Sequence, residues 1–162
     1  MIIIRETTLD DLQHVQKLWA DGDVMKFVGF PEGLHNSDEA MEKWFQRITS
    51  HRPLMNHYSI FENGVYCGET FFAIDREHEN AAALDIKLFA FARGRGIATE
   101  ALSFAIKEAF KNGACKVWVD PNPENYKAVA LYERLGFVRR EMPAYLIEEN
   151  EEPVSVYMEL CR

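Results

Sequence analysis

The residues best suited to chemistry in this chain lie past its midpoint. Arg93-Gly94-Arg95-Gly96-Ile97-Ala98-Thr99 is a glycine-rich turn between a strand-like run and a helix-like run. Such a turn gathers several backbone N–H groups at the positive end of a helix. An anion fits there, and a pyrophosphate has the right size. Gly94 and Gly96 let the backbone approach where a side chain would block it. Ala98 keeps the first helical turn small, and Arg93 and Arg95 add positive charge. The alternative is a tight turn that binds nothing. Two arginines would then face the helix dipole with no anion to offset them.

The common nucleotide loops do not match this turn. A P-loop ends in Gly-Lys-Ser/Thr, whereas Gly96 is followed by Ile97 and Ala98. A dinucleotide fingerprint needs a third small residue where Thr99 stands, and it usually follows a first strand. Further on, Tyr132 lies seven residues after Asn125, two helical turns away on the same face. Its phenol can donate a proton, or it can be an interior tyrosine bonded to backbone. Asp120 opens the run Asp120-Pro121-Asn122-Pro123-Glu124-Asn125. It reads as a base at a strand end or as a turn-forming carboxylate. Asp85 alternates with Leu84 and Ile86 on a strand, so it faces the other way. It can hold a cationic ligand, or it can lie on a solvated face.

The elements that must position these residues follow from periodicity. Ile2 to Glu6 reads as a strand. Thr7 or Thr8 caps a helix with Leu9, Leu12, Val15, Leu18 and Trp19 at helical spacing. Gly29 to Gly33 is a loop, and Ser37 opens a second helix running towards Ser50. Met25 to Phe30 offers a wall for an acceptor, or simply core. Tyr58–Glu62 and Val65–Ile74 are strands around the hairpin signal Asn63-Gly64. Ala81 to Ala90 is a further strand, and Ile97 to Lys111 a helix closed by Asn112-Gly113. Lys116 to Asp120 is a short strand, and Glu124 or Asn125 to Leu135 a helix closed by Gly136. Phe137–Met142 and Val154–Glu159 read as two last strands joined by the acidic loop Glu148-Glu149-Asn150-Glu151-Glu152. That loop is a solvated turn or a steering patch for cations. The order is β-α-α-β-β-β-α-β-α-β-β, a mixed α/β fold.

Composition narrows the class. A length of 162 residues favours one domain spanning 1–162. The net charge of −8 argues against a nucleic-acid partner and suits a cationic one. The sequence contains no apolar run long enough for a membrane span. Cys67, Cys115 and Cys161 fit no paired spacing, which suggests a reducing, cytoplasmic setting. The five histidines show no metal-site spacing, so no metal is expected.

The glycine turn resembles the R/Q-x-x-G-x-G/A element of the GNAT superfamily of acetyl-CoA-dependent N-acetyltransferases. Asn125, Ala128, Leu131-Tyr132-Glu133 and Leu135-Gly136-Phe137 resemble that superfamily's second element. The Asp-Pro-x-Pro-x-Asn run is similar to aminoglycoside N-acetyltransferases. One departure stands out: many relatives carry a proline shortly before the turn, and this chain has Phe89-Ala90-Phe91.

The resemblance implies a GNAT-like fold in which two central strands splay, here those ending near Ala90 and Asp120. It implies that the pyrophosphate of acetyl-CoA lies on Arg93, Gly94, Arg95, Gly96, Ile97, Ala98 and Thr99. The pantetheine arm would pair with the strand edge at Ile86, Lys87, Leu88 and Phe89. Asn125 would contact the cofactor arm. Tyr132 would be the general acid for the leaving thiolate and would touch the cofactor. Asp120 would be the general base, and Asp85 and Asp120 would meet the acceptor. A free alkylamine has a pKa of about 10.4, so a base is useful at neutral pH. The expected activity is acetyl transfer, by direct attack, to a primary amine on a small aminoglycoside-like or polyamine-like molecule. Acetylation of a protein N-terminus or lysine is the second reading, and a non-catalytic acyl-CoA sensor the third. The resemblance also allows a homodimer.

Overall fold

The structure is a computed structural model that describes residues 1–149 and 156–162. Among these, seven strands form one mixed sheet in the order β1-β2-β3-β4-β5-β7-β6. Strands β1 (Ile2–Glu6), β2 (Met55–Glu62), β3 (Val65–Asp75) and β4 (Ala81–Leu88) run antiparallel as a meander. β5 (Lys116–Val119) lies parallel to β4 and antiparallel to β7 (Met158–Cys161). β6 (Val138–Arg139) closes the far edge against β7.

Helices cover both faces, because alternate strand residues on each side are apolar. α4 (Ile97–Lys111) and α5 (Tyr126–Arg134) cover one face. There Leu102, Ala105 and Val129 pack with Tyr58, Phe72, Ala82 and Leu84. The alanine-rich face of α4 lets the helix approach the sheet closely. α1 (Leu12–Ala20) and α3 (Asp38–His51) cover the other face, where Leu12, Val15, Leu18 and Met41 pack with Tyr66. Ser37 caps α3 by accepting from the Ala40 N–H, as its sequence position suggests.

Several boundaries differ from the sequence reading. β2 starts at Met55, three residues before Tyr58. Asn56 and His57 near its start are polar, and their polarity hid the strand. Asn56 and His57 are nevertheless buried, and Arg52 Nε donates to Asn56 Oδ1 at 2.8 Å. A short helix, α2 (Gly22–Met25), falls where no periodicity was readable. Four residues are too few to show a helical repeat. β4 stops at Leu88, and a 3₁₀ turn covers Ala90–Ala92.

The C-terminal reading needs the largest correction. Of Phe137–Met142 only Val138 and Arg139 are strand. Helix α6 (Ala144–Glu149) then occupies ground read as the loop between the two strands. Pro143 precedes a run of good helix formers, Ala144 to Glu149, and its carbonyl accepts from the Leu146 N–H at 3.0 Å. The last strand among the described residues is Met158–Cys161; of the run read as Val154–Glu159, residues 154 and 155 lie outside the described residues, and Val156 and Tyr157 precede the strand. Residues 150–152 of the acidic run lie outside the described residues, and Glu148 and Glu149 end α6.

Candidate active site

β4 and β5 separate along the middle of the sheet. Their ladder runs only from Ala81↔Lys116 through Ala83↔Trp118. β4 stays paired with β3 as far as Leu88↔Gly68, and β5 with β7 as far as Val119↔Met158. A gap therefore opens from Leu84 onward, as the family resemblance implied.

The direction of each peptide on the free edge of β4 can be worked out. The Asp85 carbonyl accepts from Thr70 Oγ1 at 2.9 Å, so it points towards β3. The peptide between Asp85 and Ile86 is trans, so the Ile86 N–H points the other way, into the gap. Phe89 N–H bonds the Cys67 carbonyl on β3 at 3.0 Å, which turns the Leu88 carbonyl into the gap as well. Ile86 and Leu88 thus present their backbone groups to the opening, and Lys87 presents its own to β3. Two of the four gap-facing groups are satisfied within the chain. Asp85 Oδ1 accepts from Ile86 N–H at 2.8 Å, and Arg93 donates to the Leu88 carbonyl at 2.9 and 3.2 Å. The Ile86 carbonyl and Leu88 N–H remain as one acceptor and one donor for an added strand-like ligand.

The glycine turn follows directly. Gly94 and Gly96 have φ of 73° and 81°, the left-handed region where glycine is favoured. A Cβ built on Gly96 meets nothing within 4 Å, so the space over the turn is open. Gly96 is the N-cap of α4 and supplies no capping side chain. The first amides of α4 are thus left for an anion. The arginines act differently from the sequence reading. Arg93 binds Asp23 of α2 at 2.8 Å, and Arg95 pairs with Glu62 of β2. Their charges are already met by carboxylates, which leaves the amides and the helix dipole as the groups that could hold an anion.

Across the gap, Asp120 follows the end of β5 and stands exposed at its mouth. Burial of its carboxyl on the protein side, and then the nearby charge of Asp85, raise its pKa to about 6. Tyr132 on α5 is 5% exposed and packs edge-on against Phe137. Burial, then Asp85 and Asp120, hold its phenol well above its ordinary value. Its hydroxyl makes no hydrogen bond with another described residue. Asn125 caps α5, with Oδ1 accepting from Ala128 N–H at 3.3 Å, and its amide NH₂ stays free to donate. Asp85, Asp120 and Tyr132, from three elements, thus lie within one another's electrostatic reach.

Asp85 also reaches a cavity of about 190 Å³ on the α1/α3 face. Its apolar walls include Trp19, Trp44 and Phe71. Its floor is a chain of charged groups that sequence reasoning missed. Glu69 on β3 is buried. It accepts from Trp19 Nε1 at 2.8 Å, forms a short contact with His57 Nε2, and lies 3.7 Å from Lys87 Nζ. Burial opposes its ionisation, but His57 and Lys87 together hold its carboxyl below the ordinary range. Lys87 pairs with Asp85 as well. His57 Nδ1 and Thr7 Oγ1 are 2.6 Å apart. Arg47 of α3 completes the lining. None of Met25 to Phe30 lines this cavity, and Val28 and Phe30 are exposed.

Comparison with known proteins decides the family. The GNAT acetyltransferase domain model matches residues 1–138. The chain belongs to the GNAT acetyltransferase family. Among solved structures, this GNAT chain is similar to the spermidine N-acetyltransferase of Vibrio cholerae, in complex with CoA and spermine. The TM-score is 0.79 at 20% identity, covering 99% of this chain and 95% of that one. It is also similar to an aminoglycoside acetyltransferase in complex with coenzyme A, with a TM-score of 0.77 at 18% identity, covering 100% and 95%. Among curated proteins, the N-alpha-acetyltransferase MAK3 of Arabidopsis thaliana is 47% identical over 47 residues. That match spans 29% of this chain and 25% of the relative's length. No helix among the described residues of this GNAT protein is long and apolar enough to cross a membrane.

Proposed function

We propose that this GNAT protein transfers an acetyl group from acetyl-CoA to a primary amine by direct attack, with Asp120 as base and Tyr132 as acid. The observation that carries the reading is the pairing of these two groups at the gap. Asp120 has a pKa raised to about 6 and Tyr132 is held protonated. A base near neutrality and an acid that keeps its proton are what the reaction needs.

Acetyl-CoA supplies a thioester whose carbonyl carbon accepts the amine. Asp120 takes the ammonium proton, directly or through water, and frees the nitrogen lone pair. The N–C bond forms as the C–S bond breaks. Tyr132 gives its proton to the departing sulfur, and the second proton that the nitrogen loses as the amide forms restores the Tyr132 phenol, so the ammonium's two lost protons end on Asp120 and, through Tyr132, on the thiol. The gap-facing groups of Ile86 and Leu88 hold the donor arm, Asn125 lends its amide, and the amides from Gly96 to Thr99 seat the pyrophosphate. The relatives solved with CoA support this donor. The acidic chain and Asp85 at the gap support an acceptor that arrives as an ammonium. A relative in complex with spermine supports a small-molecule acceptor over a protein. The partial likeness to an N-alpha-acetyltransferase favours the second reading, a protein N-terminus.

Thiol release with acetyl-CoA and an amine panel tests the reading. Tyr132→Phe is expected to lower kcat by roughly 100-fold while leaving acetyl-CoA affinity within about twofold. Asp120→Asn is expected to remove the acid limb of the kcat/KM profile near pH 6. Binding of acetyl-CoA with no turnover on any amine would instead identify a sensor.

A further inference from the structure

The α1/α3 cavity carries a charge pattern that narrows the acceptor, given the acetyl-transfer reading above. Its acids, the buried Glu69 and the partly exposed Asp85, are already neutralised. Glu69 is held by His57, Trp19 and Lys87, and Asp85 by Lys87 and the Ile86 N–H. A polycation entering the cavity would have to displace Lys87, which is itself largely buried. The unmet charge is positive. Arg47 lines the cavity, and its guanidinium has no ion pair or hydrogen bond among the described residues.

The outer side repeats the pattern. Trp19, Trp44 and Arg47 also line an outer cleft of about 470 Å³, together with Asn36 and Lys43. No carboxylate is among those lining residues. Cavity and cleft therefore share Trp19, Trp44 and Arg47 as lining residues. Asp85 lines only the cavity, and Arg47 lines both. The inner volume of about 190 Å³ suits a single ring, since an apolar cavity of roughly 150 Å³ takes benzene.

We infer that the acceptor is an amino-acid-like molecule: a primary amine on a ring-sized apolar body whose far end is an anion held by Arg47. The amine lies towards Asp85 and Asp120, the body rests against the wall that Trp19 and Trp44 form by packing edge to face at 5.0 Å, and a carboxylate forms a charge-assisted pair with the guanidinium. This runs against the polyamine-like or aminoglycoside-like acceptor that the net charge of the whole chain suggests.

Three acceptors isolate the far end. Para-aminomethylbenzoate, benzylamine and para-xylylenediamine share one ring and one aminomethyl group and end in an anion, a hydrogen and a cation. Thiol release is expected to rank them in that order, with the first ahead of the last by about tenfold or more in kcat/KM. Arg47→Ala should erase the advantage through KM, and Arg47→Glu should reverse the order. Arg47 is exposed on α3, so neither variant threatens the fold. A preference for xylylenediamine in the unmodified protein, or an order indifferent to Arg47→Glu, overturns the inference. So does the absence of turnover with all three. Titration with acetyl-CoA alone then separates the two failures. Retained binding leaves the donor reading standing, and lost binding removes it as well.

Discussion

The two halves of the proposed site are built on opposite plans. The donor half is local. One continuous stretch, from Ile86 through the turn to Thr99, supplies both a strand edge and a helix N-terminus. Its binding groups are backbone amides, so side-chain identity matters chiefly where a side chain must be absent. The acceptor half is dispersed. Trp19, Trp44, His57, Glu69 and Lys87 come from α1, α3, β2, β3 and β4 and meet only in the folded sheet. Its groups are buried charges that depend on one another. The difference teaches that one site can be robust to distant change on one side and sensitive to it on the other.

Breaking the donor half should have the largest effect and stay local. Gly96→Val puts a β-branched residue at a φ of 81° and a Cβ in the open anion seat. Acetyl-CoA affinity, read by titration, should fall by at least roughly 100-fold, with an additional stability loss of about 1–2 kcal/mol from the left-handed backbone. Retained affinity would mean that the amides are not the seat.

Breaking the acceptor half should instead spread. Glu69→Gln leaves Lys87 and His57 with a neutral partner in a buried site. Removing one member of a buried ion pair typically costs about 3–5 kcal/mol. Denaturant unfolding should show that loss, while acetyl-CoA affinity stays near that of the unmodified protein. Equal loss of donor binding would erase the distinction between the halves.

The smallest effect lies on the seam. Asp120 has a folded pKa of about 6 against an ordinary 3.8. A carboxyl raised on folding contributes stability that is full below about 3.8 and lost as pH rises through about 6. Asp120→Asn should therefore raise Tm slightly at pH 7 and change it little at pH 3. A lower Tm at pH 7 would mean that the carboxylate stabilises the fold, and that Asp85 does not press on it.

The donor half was legible in the sequence for the same reason that it is local. Glycine spacing, helix-start residues and the Asn125 to Tyr132 interval sit within single elements, where chain distance and spatial distance agree. Helices α3, α4 and α5 were readable from caps and apolar periodicity. α2 was too short to leave a pattern, and the polar start of β2 concealed a buried strand. The region after Phe137 misled because its apolar residues fit a strand or a helix, and Pro143 settles it as a helix start. Asp85 was readable as a strand residue facing opposite to Leu84 and Ile86. Its engagement by Lys87 was not, since Lys87 sits on the same strand and was assigned through its backbone.

The sequence by itself determined the local form of the proposed donor seat: a helix N-terminus with no side chains in the way, followed by a capped helix carrying a tyrosine. Local backbone physics is enough for that, because glycine φ angles and orphan amides need no distant partner. Only the tertiary structure decided the charge state of the site. Arg93 and Arg95 read as free cations and turned out to be held by Asp23 and Glu62. Asp85 read as a free anion and is held by Lys87. Arg47 drew no notice in the sequence, yet lines the cavity with no ion-pair partner among the described residues. Net charge is a sum over residues, whereas the charge a ligand meets is what remains after the fold has paired them.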